Sequence, residues 1–232
     1  MRDFQLLKRL QDDFHDLDAP IPCDIRQPTP PQVESQMILR MLVRAKYGEM
    51  KIPWKLSWLN DVIHEVSEYD MGLTGIRDSW CYVTVRHGPV VTRTDSQWHF
   101  DGASFRTELI PERNYVWVNH TPPQFKTGKL LIFDSFDPLK HDLFRYAEER
   151  LVHNPIQEAE AKQWMMMTPF CFHRRNPQVP EGSRTFIRIS FPDIEARDIN
   201  NTHNPLLPTP AYGRDPVKSF RNRLSRYSVR DH

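Results

Sequence analysis

The sequence predicts a mainly β domain, a barrel or sandwich with helices packed outside it, and three observations predict this fold class. From residue 80 onward, short segments of alternating polarity are rich in β-branched and aromatic residues. Turn residues separate these segments at short intervals, as in all-β barrels and sandwiches. The chain has 232 residues, of which 39% are hydrophobic and 26% charged. That composition is typical of a soluble globular domain with a sizeable core.

The first third of the chain is predicted to be helical and proline-rich. Residues 2–17 place apolar side chains at helical spacing, which indicates an amphipathic helix. Residues 18–32 contain five prolines and are expected to be irregular. Two further helices are predicted, over residues 33–47 and 58–69. Residues 1–79 are therefore expected to pack on the outside of the β core.

The predicted strands lie in the second part of the chain. Residues 80–86 (WCYVTVR) alternate and are followed by the turn sequence His-Gly-Pro. Other strands are predicted at 90–94, 104–110, 115–118, 129–133, 165–172 and 184–191. A helix over 141–151 interrupts them. Residues 80–192 are expected to form the β core, and residues 193–232 a Pro-rich, basic C-terminal extension of the same domain.

Composition excludes several classes of function. The chain has 31 Lys and Arg against 30 Asp and Glu, a net charge of +1, so nucleic acid is not an expected partner. No apolar run approaches the roughly 20 residues of a membrane span, and the charged N-terminus has no apolar signal region. Three widely spaced cysteines fit a reduced, cytoplasmic protein. With only eight glycines, the chain has no Gly-rich phosphate loop of a kinase, NTPase or dinucleotide enzyme.

Three residues carry the pattern of a metal site. His99 and Asp101 stand two apart in an extended segment, so both side chains point the same way, and Gly102 lets the chain curl after them. Such a pair arises by chance in a chain with ten histidines, and alone it fits a hydrogen-bonded pair equally well. His173 strengthens the metal interpretation because it closes the apolar run 164–172. Two histidines and one carboxylate would leave open positions on octahedral iron.

The strand after His173 carries two arginines on one face. Period two places Arg184, Phe186, Arg188 and Ser190 together. Arginine is almost never buried without a partner, so we expect an anion on this face, held by a planar guanidinium.

His99-Phe-Asp101, then His173, then the downstream arginines resemble the iron(II)/2-oxoglutarate-dependent dioxygenases, and the resemblance covers about residues 80–192. It implies a double-stranded β-helix, the jelly-roll or cupin-like fold. It also implies that His99, Asp101 and His173 bind iron(II), with 2-oxoglutarate chelating the metal and O2 as second cosubstrate. An arginine after the distal histidine would bind the far carboxylate of 2-oxoglutarate.

Two branches of that family assign the arginines differently. The taurine-dioxygenase-like branch matches Arg184 to 2-oxoglutarate, Arg188 to substrate, and Thr127 to a cofactor contact. The penicillin-synthase-like branch has Arg-x-Ser, which selects Arg188 and Ser190. The taurine branch has a long insert between this threonine and the distal histidine. In this chain only 46 residues separate Thr127 from His173, so Thr127 matches that branch less well than the arginines do. Arg184 follows His173 by eleven residues, as the corresponding arginine does in the taurine-dioxygenase-like branch, and this spacing favours Arg184 for 2-oxoglutarate. The choice between Arg184 and Arg188 stays open.

The leading function hypothesis is an oxygenase that hydroxylates, desaturates or cyclises a small amino-acid-like or acidic metabolite. Candidate substrate-binding residues flank the HxD motif: Trp98, Arg106, Tyr115 and Trp117, in addition to Arg188. One alternative is a cupin-like metal- or ligand-binding protein without 2-oxoglutarate turnover. Another is a binding adaptor that acts through the basic tail. The sequence predicts no oligomeric state.

Overall fold

The computed structural model describes residues 2–89, 97–101, 112–137, 140–178, 182–196 and 198–208. These residues form 11 β-strands, three α-helices and one 3-10 helix. The strands are β1 Asp16–Leu17, β2 Ile21–Cys23, β3 Gln36–Arg44, β4 Cys81–Pro89, β5 Arg113–Val118, β6 Pro123–Lys126, β7 Gly128–Lys129, β8 Gln157–Glu158, β9 Trp164–Met167, β10 Phe172–Arg175 and β11 Ser183–Phe191. The helices are α1 Arg2–Asp13, the 3-10 helix Trp54–Leu59, α2 Asn60–Thr74 and α3 Leu143–Arg150.

Two main antiparallel sheets make up the fold. The larger has six strands in the order β2-β9-β5-β11-β4-β3, and the smaller has three in the order β10-β6-β8. Strands β1 and β7 form a separate pair. Strand β11 lies inside the large sheet, between β4 and β5, and it contributes to the site described below.

The faces of β11 show how the layers are stacked. Ile187, Ile189 and Phe191 are fully buried in a core that includes apolar residues of α2. On the other face, Phe186 packs against a second core, which joins β5 and β9 of the large sheet to Phe125 of the small one. The two sheets therefore face each other, and α2 covers the outside of the large sheet. The predicted alternation along 184–191 is confirmed.

The helices α1 and α3 cover the outside of the small sheet. Phe172 of β10 belongs to a third core, which also contains Leu10 and Phe14 of the α1 region and Leu143 and Ala147 of α3. The next residue of β10 points the opposite way, into the space between the sheets. The fold is thus mainly β, with flanking helices and a jelly-roll core, as the sequence predicts.

The predicted helix over residues 33–47 is wrong, because this segment contains strand β3 at the edge of the large sheet. A bulge between Ile38 and Met41 interrupts its pairing with β4. Ile38, Met41 and Val43 all face the core that includes α2. Their spacing of three and then two residues imitates a helical stripe, since the bulge shifts the phase of the alternation.

Several other predicted boundaries change. Helix α1 ends at Asp13 instead of residue 17, and Asp16–Leu17 is strand β1. The strand predicted over 129–133 is reduced to β7, because Leu130 donates its N–H to the carbonyl of His15 outside any sheet. The strand predicted over 165–172 divides into β9 and β10, which belong to different sheets and are joined by a turn. Helix α2 continues to Thr74 and ends at Gly75, whose φ of 72° suits glycine.

Some predictions fall on residues that the structure does not describe. The strands predicted at 90–94 and 104–110, the candidate Arg106, and the basic stretch of the tail lie outside the described residues. The division at residues 79 and 192 stays a prediction. Within the described part of the chain, none of the helices is long and apolar enough to span a membrane.

A buried ion pair fixes α2 to the large sheet. Arg113 donates to both carboxylate oxygens of Asp70, at 2.7 and 2.9 Å, and the hydroxyl of Tyr115 donates to the same carboxylate at 2.9 Å. Asp70 is 1% exposed. Breaking a buried pair by removing one partner leaves a buried charge without its compensation.

We therefore expect Asp70→Ala to lower the free energy of unfolding by about 3–5 kcal/mol, as measured by urea denaturation. Asp61→Ala is the matched control, since its carboxylate is on the same helix and 74% exposed. The control should lose less than about 0.5 kcal/mol. Equal losses in the two variants would contradict the role given to the buried pair.

Candidate metal centre

A short backbone pairing brings the two histidines together. His99 and His173 form an isolated antiparallel bridge, in which each residue donates its N–H to the carbonyl of the other, at 2.9 and 3.1 Å. Opposed residues of an antiparallel pair point to the same face. The two imidazole rings accordingly lie with their centroids 4.4 Å apart.

Asp101 completes the cluster. It lies two residues after His99, and its Oδ2 is 3.6 Å from Nε2 of His173. One ligand atom from each of the three side chains lies within 4.8 Å of the others. His173 is buried, and the other two residues are partly buried. The structure thus brings together the three residues that the sequence predicted as metal ligands.

Both histidines use the same ring nitrogen for a backbone contact. Nδ1 of His99 lies 2.8 Å from the carbonyl oxygen of Gln97, and Nδ1 of His173 lies 2.9 Å from that of Cys171. A carbonyl oxygen only accepts, so Nδ1 is the protonated nitrogen that donates in each neutral ring. Nε2 then carries the lone pair. Metal-binding histidines are held in this way by a hydrogen bond from the other ring nitrogen.

The electrostatics keep His99 and Asp101 in the protonation states of metal ligands. Burial, together with the neighbouring His173, holds the pKa of His99 below its usual value, so this imidazole stays neutral. Burial alone would raise the pKa of Asp101, but the positive charge of the Arg188 guanidinium outweighs it. The pKa of Asp101 therefore lies well below its usual range, and the residue is a carboxylate.

The two predicted arginines occupy different places. Arg188 donates from Nη1 to Oδ2 of Asp101, so one guanidinium reaches the cluster directly. Arg184 donates to the carbonyl of Thr121 at 3.3 Å, and its guanidinium lies 5.6 Å from the centroid of the Phe186 ring. Both side chains are partly buried between the sheets. The anion expected beside Arg188 is, in this structure, a carboxylate of the protein itself.

Three candidates for the substrate pocket are not brought to the cluster. Tyr115 and Trp117 lie on the outer face of the large sheet, in the core that includes α2. Trp98 points away from His99, stacks on Phe172, and lies under the cationic group of Arg174. These aromatic residues are core residues, since period two sends them to the opposite face from their neighbours in the site.

Thr127 lies in the turn between β6 and β7. Its hydroxyl accepts a hydrogen bond from Gln157 at 2.9 Å, and its carbonyl accepts one from Asn154 at 2.8 Å. It therefore has a structural role in this turn, and the described contacts do not connect it with the cluster.

Several polar residues on the inner face of the large sheet were not predicted from the sequence. Arg40 of β3 pairs with Glu112, and Asn114 of β5 pairs with Ser190 of β11. Arg40 was missed because its segment was predicted to be helical. The signal that could have located Asn114 is its position one residue before Tyr115, on the opposite face of the same strand.

Comparisons with known proteins give structural likeness at low sequence identity. No known family matches the chain, and no curated protein matches its sequence. AviO1 from Streptomyces viridochromogenes Tue57 is similar with a TM-score of 0.38 and 14% identity, over 90% of this chain and 84% of that one.

HygX from Streptomyces hygroscopicus is similar in two forms. The iron-bound form gives a TM-score of 0.40 and 13% identity, over 93% of this chain and 98% of that one. The form with nickel and 2-oxoglutarate bound gives 0.35 and 13%, over 94% and 88%. All three TM-scores lie below 0.5.

Proposed function

We propose that the chain is an iron(II)- and 2-oxoglutarate-dependent oxygenase that acts on a small acidic metabolite. His99, Asp101 and His173 are the proposed ligands of the iron. The outcome of the oxidation, whether hydroxylation, desaturation or ring closure, depends on a substrate that these residues do not specify.

One observation carries the proposal, the convergence of two histidines and one carboxylate with their ligand atoms within 4.8 Å. Both histidines present Nε2 because Nδ1 is bound to a backbone carbonyl. Two imidazoles and one carboxylate would suit iron(II) and would leave room for the cosubstrate and O2. The donor set fits the metal.

When bound, iron(II) and 2-oxoglutarate supply the activation of O2 and the removal of a substrate hydrogen, with 2-oxoglutarate converted to succinate and CO2. The chain supplies orientation and charge. The backbone bridge fixes the two imidazoles relative to each other, and the low pKa of Asp101 keeps its carboxylate ionised. The cores on both sides of the small sheet keep water from the buried side of the cluster.

Two anions are assigned to the arginines of β11. Arg184 is the proposed partner of the far carboxylate of 2-oxoglutarate, and Arg188 of an acidic group on the substrate. Four residues of strand separate Arg184 from Arg188 by about 13 Å along β11, so the two guanidinium groups can bind two separate anions. The proposal of an acidic substrate follows from the assignment of Arg188.

Anaerobic addition of iron(II) and 2-oxoglutarate to the full chain tests the proposal. We expect a weak visible absorption band from charge transfer between the metal and the chelating 2-oxo acid. Formation of succinate on admission of O2 would then demonstrate turnover. A folded protein that binds iron(II) but gives neither band nor succinate would instead support the cupin-like binding protein.

A further inference from the structure

The inner face of the large sheet is polar where it approaches the metal cluster. Thr84, Asn114 and Ser190 are each at most 4% exposed and stand on three neighbouring strands. Arg188, the partner of Thr84 in the register of β4 and β11, reaches Asp101 from this face. A polar wall inside a jelly-roll is costly unless its groups are hydrogen-bonded.

Arg40 is directed at this wall by a strained backbone. Its φ is 42°, in the left-handed region that a residue with a side chain rarely adopts, and it sits in the bulge of β3. Its N–H is donated to the hydroxyl of Thr84 at 3.1 Å, and its guanidinium lies 5.6 Å from the ring centroid of Tyr82. Bulges of this kind are found beside functional sites, where they re-aim a side chain.

The guanidinium of Arg40 has one buried donor without an acceptor among the described residues. Nη2 donates to both carboxylate oxygens of Glu112 at 2.9 Å, while Nε is buried and has no acceptor among the described residues. Burial lowers the pKa of Arg40, but the negative charge of Glu112 raises it by more, and Asp101 also raises it. The pKa of Arg40 therefore lies above its usual value. Arg40 is placed near the cluster by its contact with Thr84, because the register partner of Thr84 is Arg188, which reaches Asp101.

Asn114 presents a second unused donor. It is 1% exposed, and its Oδ1 accepts a hydrogen bond from the hydroxyl of Ser190 at 2.6 Å. Nδ2 is buried and has no partner in the described part of the chain. Nε of Arg188, two residues from Ser190 on the same face, is also buried and lacks an acceptor there. Each buried donor left without an acceptor costs about 1–3 kcal/mol, so three on one wall call for a ligand.

We propose that Arg40 and Asn114, together with Arg188, form a carboxylate-binding subsite on the inner face of the large sheet. The three groups offer only N–H donors, which suits an anion that only accepts, and guanidinium matches carboxylate in shape and charge. The subsite rests on the proposed function for its occupant, the acidic group of the substrate. The far carboxylate of 2-oxoglutarate has the same chemistry, and the experiment distinguishes the two.

Charge supports an anion at this position. Arg40 and Arg188 are balanced by Glu112 and Asp101. A divalent cation bound to Asp101 would leave this region with excess positive charge, which an added carboxylate reduces. Loading the metal should therefore strengthen the binding of an anion to the subsite.

The test uses two substitutions that preserve the surrounding contacts. Arg40→Lys retains a cation for Glu112 but removes the Nε donor. Asn114→Asp retains an acceptor for the Ser190 hydroxyl but replaces the N–H donors with a carboxylate oxygen. The matched controls are Arg44→Lys, on the same strand but bound to Ser79 and Ser67 away from the cluster, and Asn119→Asp, just after β5.

The first measurement compares 2-oxoglutarate with pyruvate in calorimetric titrations of Mn(II)-loaded protein. Pyruvate has the same chelating end but lacks the far carboxylate. The quantity compared is the dissociation constant of pyruvate divided by that of 2-oxoglutarate. If the substrate occupies the subsite, this ratio stays at its wild-type value in both variants. A fall of about tenfold or more in that ratio would support the subsite with 2-oxoglutarate as its occupant.

The second measurement detects a second carboxylate directly. Acetate is titrated into the complex of protein, Mn(II) and 2-oxoglutarate, and the paramagnetic relaxation of its methyl protons is followed by NMR. We expect enhanced relaxation in the wild type and both controls, and a loss of about tenfold in acetate affinity in Arg40→Lys and Asn114→Asp. Variants that match the wild type in both measurements would overturn the subsite.

Failure of the proposed function is distinguishable from failure of the subsite. Mn(II) binding is measured first, by EPR, and a folded wild type that binds no Mn(II) contradicts the metal site. The metal-free protein then tests the subsite, since acetate should raise its melting temperature above that in chloride of equal ionic strength. An equal rise in wild type, variants and controls, or none in the wild type, would overturn the subsite.

Discussion

Replacing His173 with alanine is expected to abolish 2-oxoglutarate turnover and to weaken metal binding by more than about 100-fold. Loss of a residue that only orients a ligand typically costs 10- to 100-fold in metal affinity, and His173 is proposed to bind the metal itself. Its ring is buried, and its Nε2 faces Oδ2 of Asp101 at 3.6 Å. Iron(II) affinity by anaerobic titration, and succinate formation, measure the two effects.

The control for this substitution is His64→Ala, which removes an exposed imidazole on α2. It should leave metal affinity and turnover unchanged. Circular dichroism and the melting temperature establish that the His173→Ala chain is folded. Near-normal turnover in that folded variant would show that the metal site is assigned to the wrong residues, and the same holds for His99→Ala and Asp101→Ala.

The cluster of two histidines and one carboxylate could be predicted from the sequence because its signals are local. His99 and Asp101 stand two apart in one extended segment, and His173 directly follows the apolar run 164–172. Strand β11 was predictable for the same reason, because Ile187, Ile189 and Phe191 make most of its outer face apolar and its inner positions hold the arginines. Period two then gives the correct face for every residue of the strand.

The pocket residues could not be predicted in the same way. Strand β5 is buried at all six positions, so its burial carries no information about which face points to the cluster. Tyr115 and Trp117 were predicted because their segment flanks the HxD motif, but the inner face belongs to Asn114 and Val116. The two faces of a buried strand in the middle of a sheet can be assigned only when its neighbouring elements are known.

Arg40 shows a second limit of local patterns. The bulge of β3 gives its apolar residues a helix-like spacing, and only pairing with β4 resolves the ambiguity. The same bulge turns Arg40 towards Glu112 and the inner wall. The irregular element that misled the secondary-structure prediction is therefore the one that places a new guanidinium near the proposed site.

Arg184→Ala is expected to raise the apparent 2-oxoglutarate constant by more than tenfold, while Arg188→Ala acts mainly on the binding of a second anion. Loss of a buried, charge-assisted pair costs a few kcal/mol, which corresponds to more than tenfold in affinity. Arg184 is proposed for the far carboxylate because it follows His173 by eleven residues. Arg188 already reaches Asp101, close to where substrate must meet the metal.

Succinate formation at varied 2-oxoglutarate concentrations, without added substrate, isolates the cosubstrate constant. Metal affinity is measured separately, because Arg188→Ala also removes the partner of Asp101. Arg145→Ala is the control, an exposed arginine of α3 paired with Glu149. A larger effect on 2-oxoglutarate from Arg188→Ala would exchange the two roles. Small and equal effects from both would contradict the argument, since buried guanidinium groups that bind anions cannot be removed without loss of affinity.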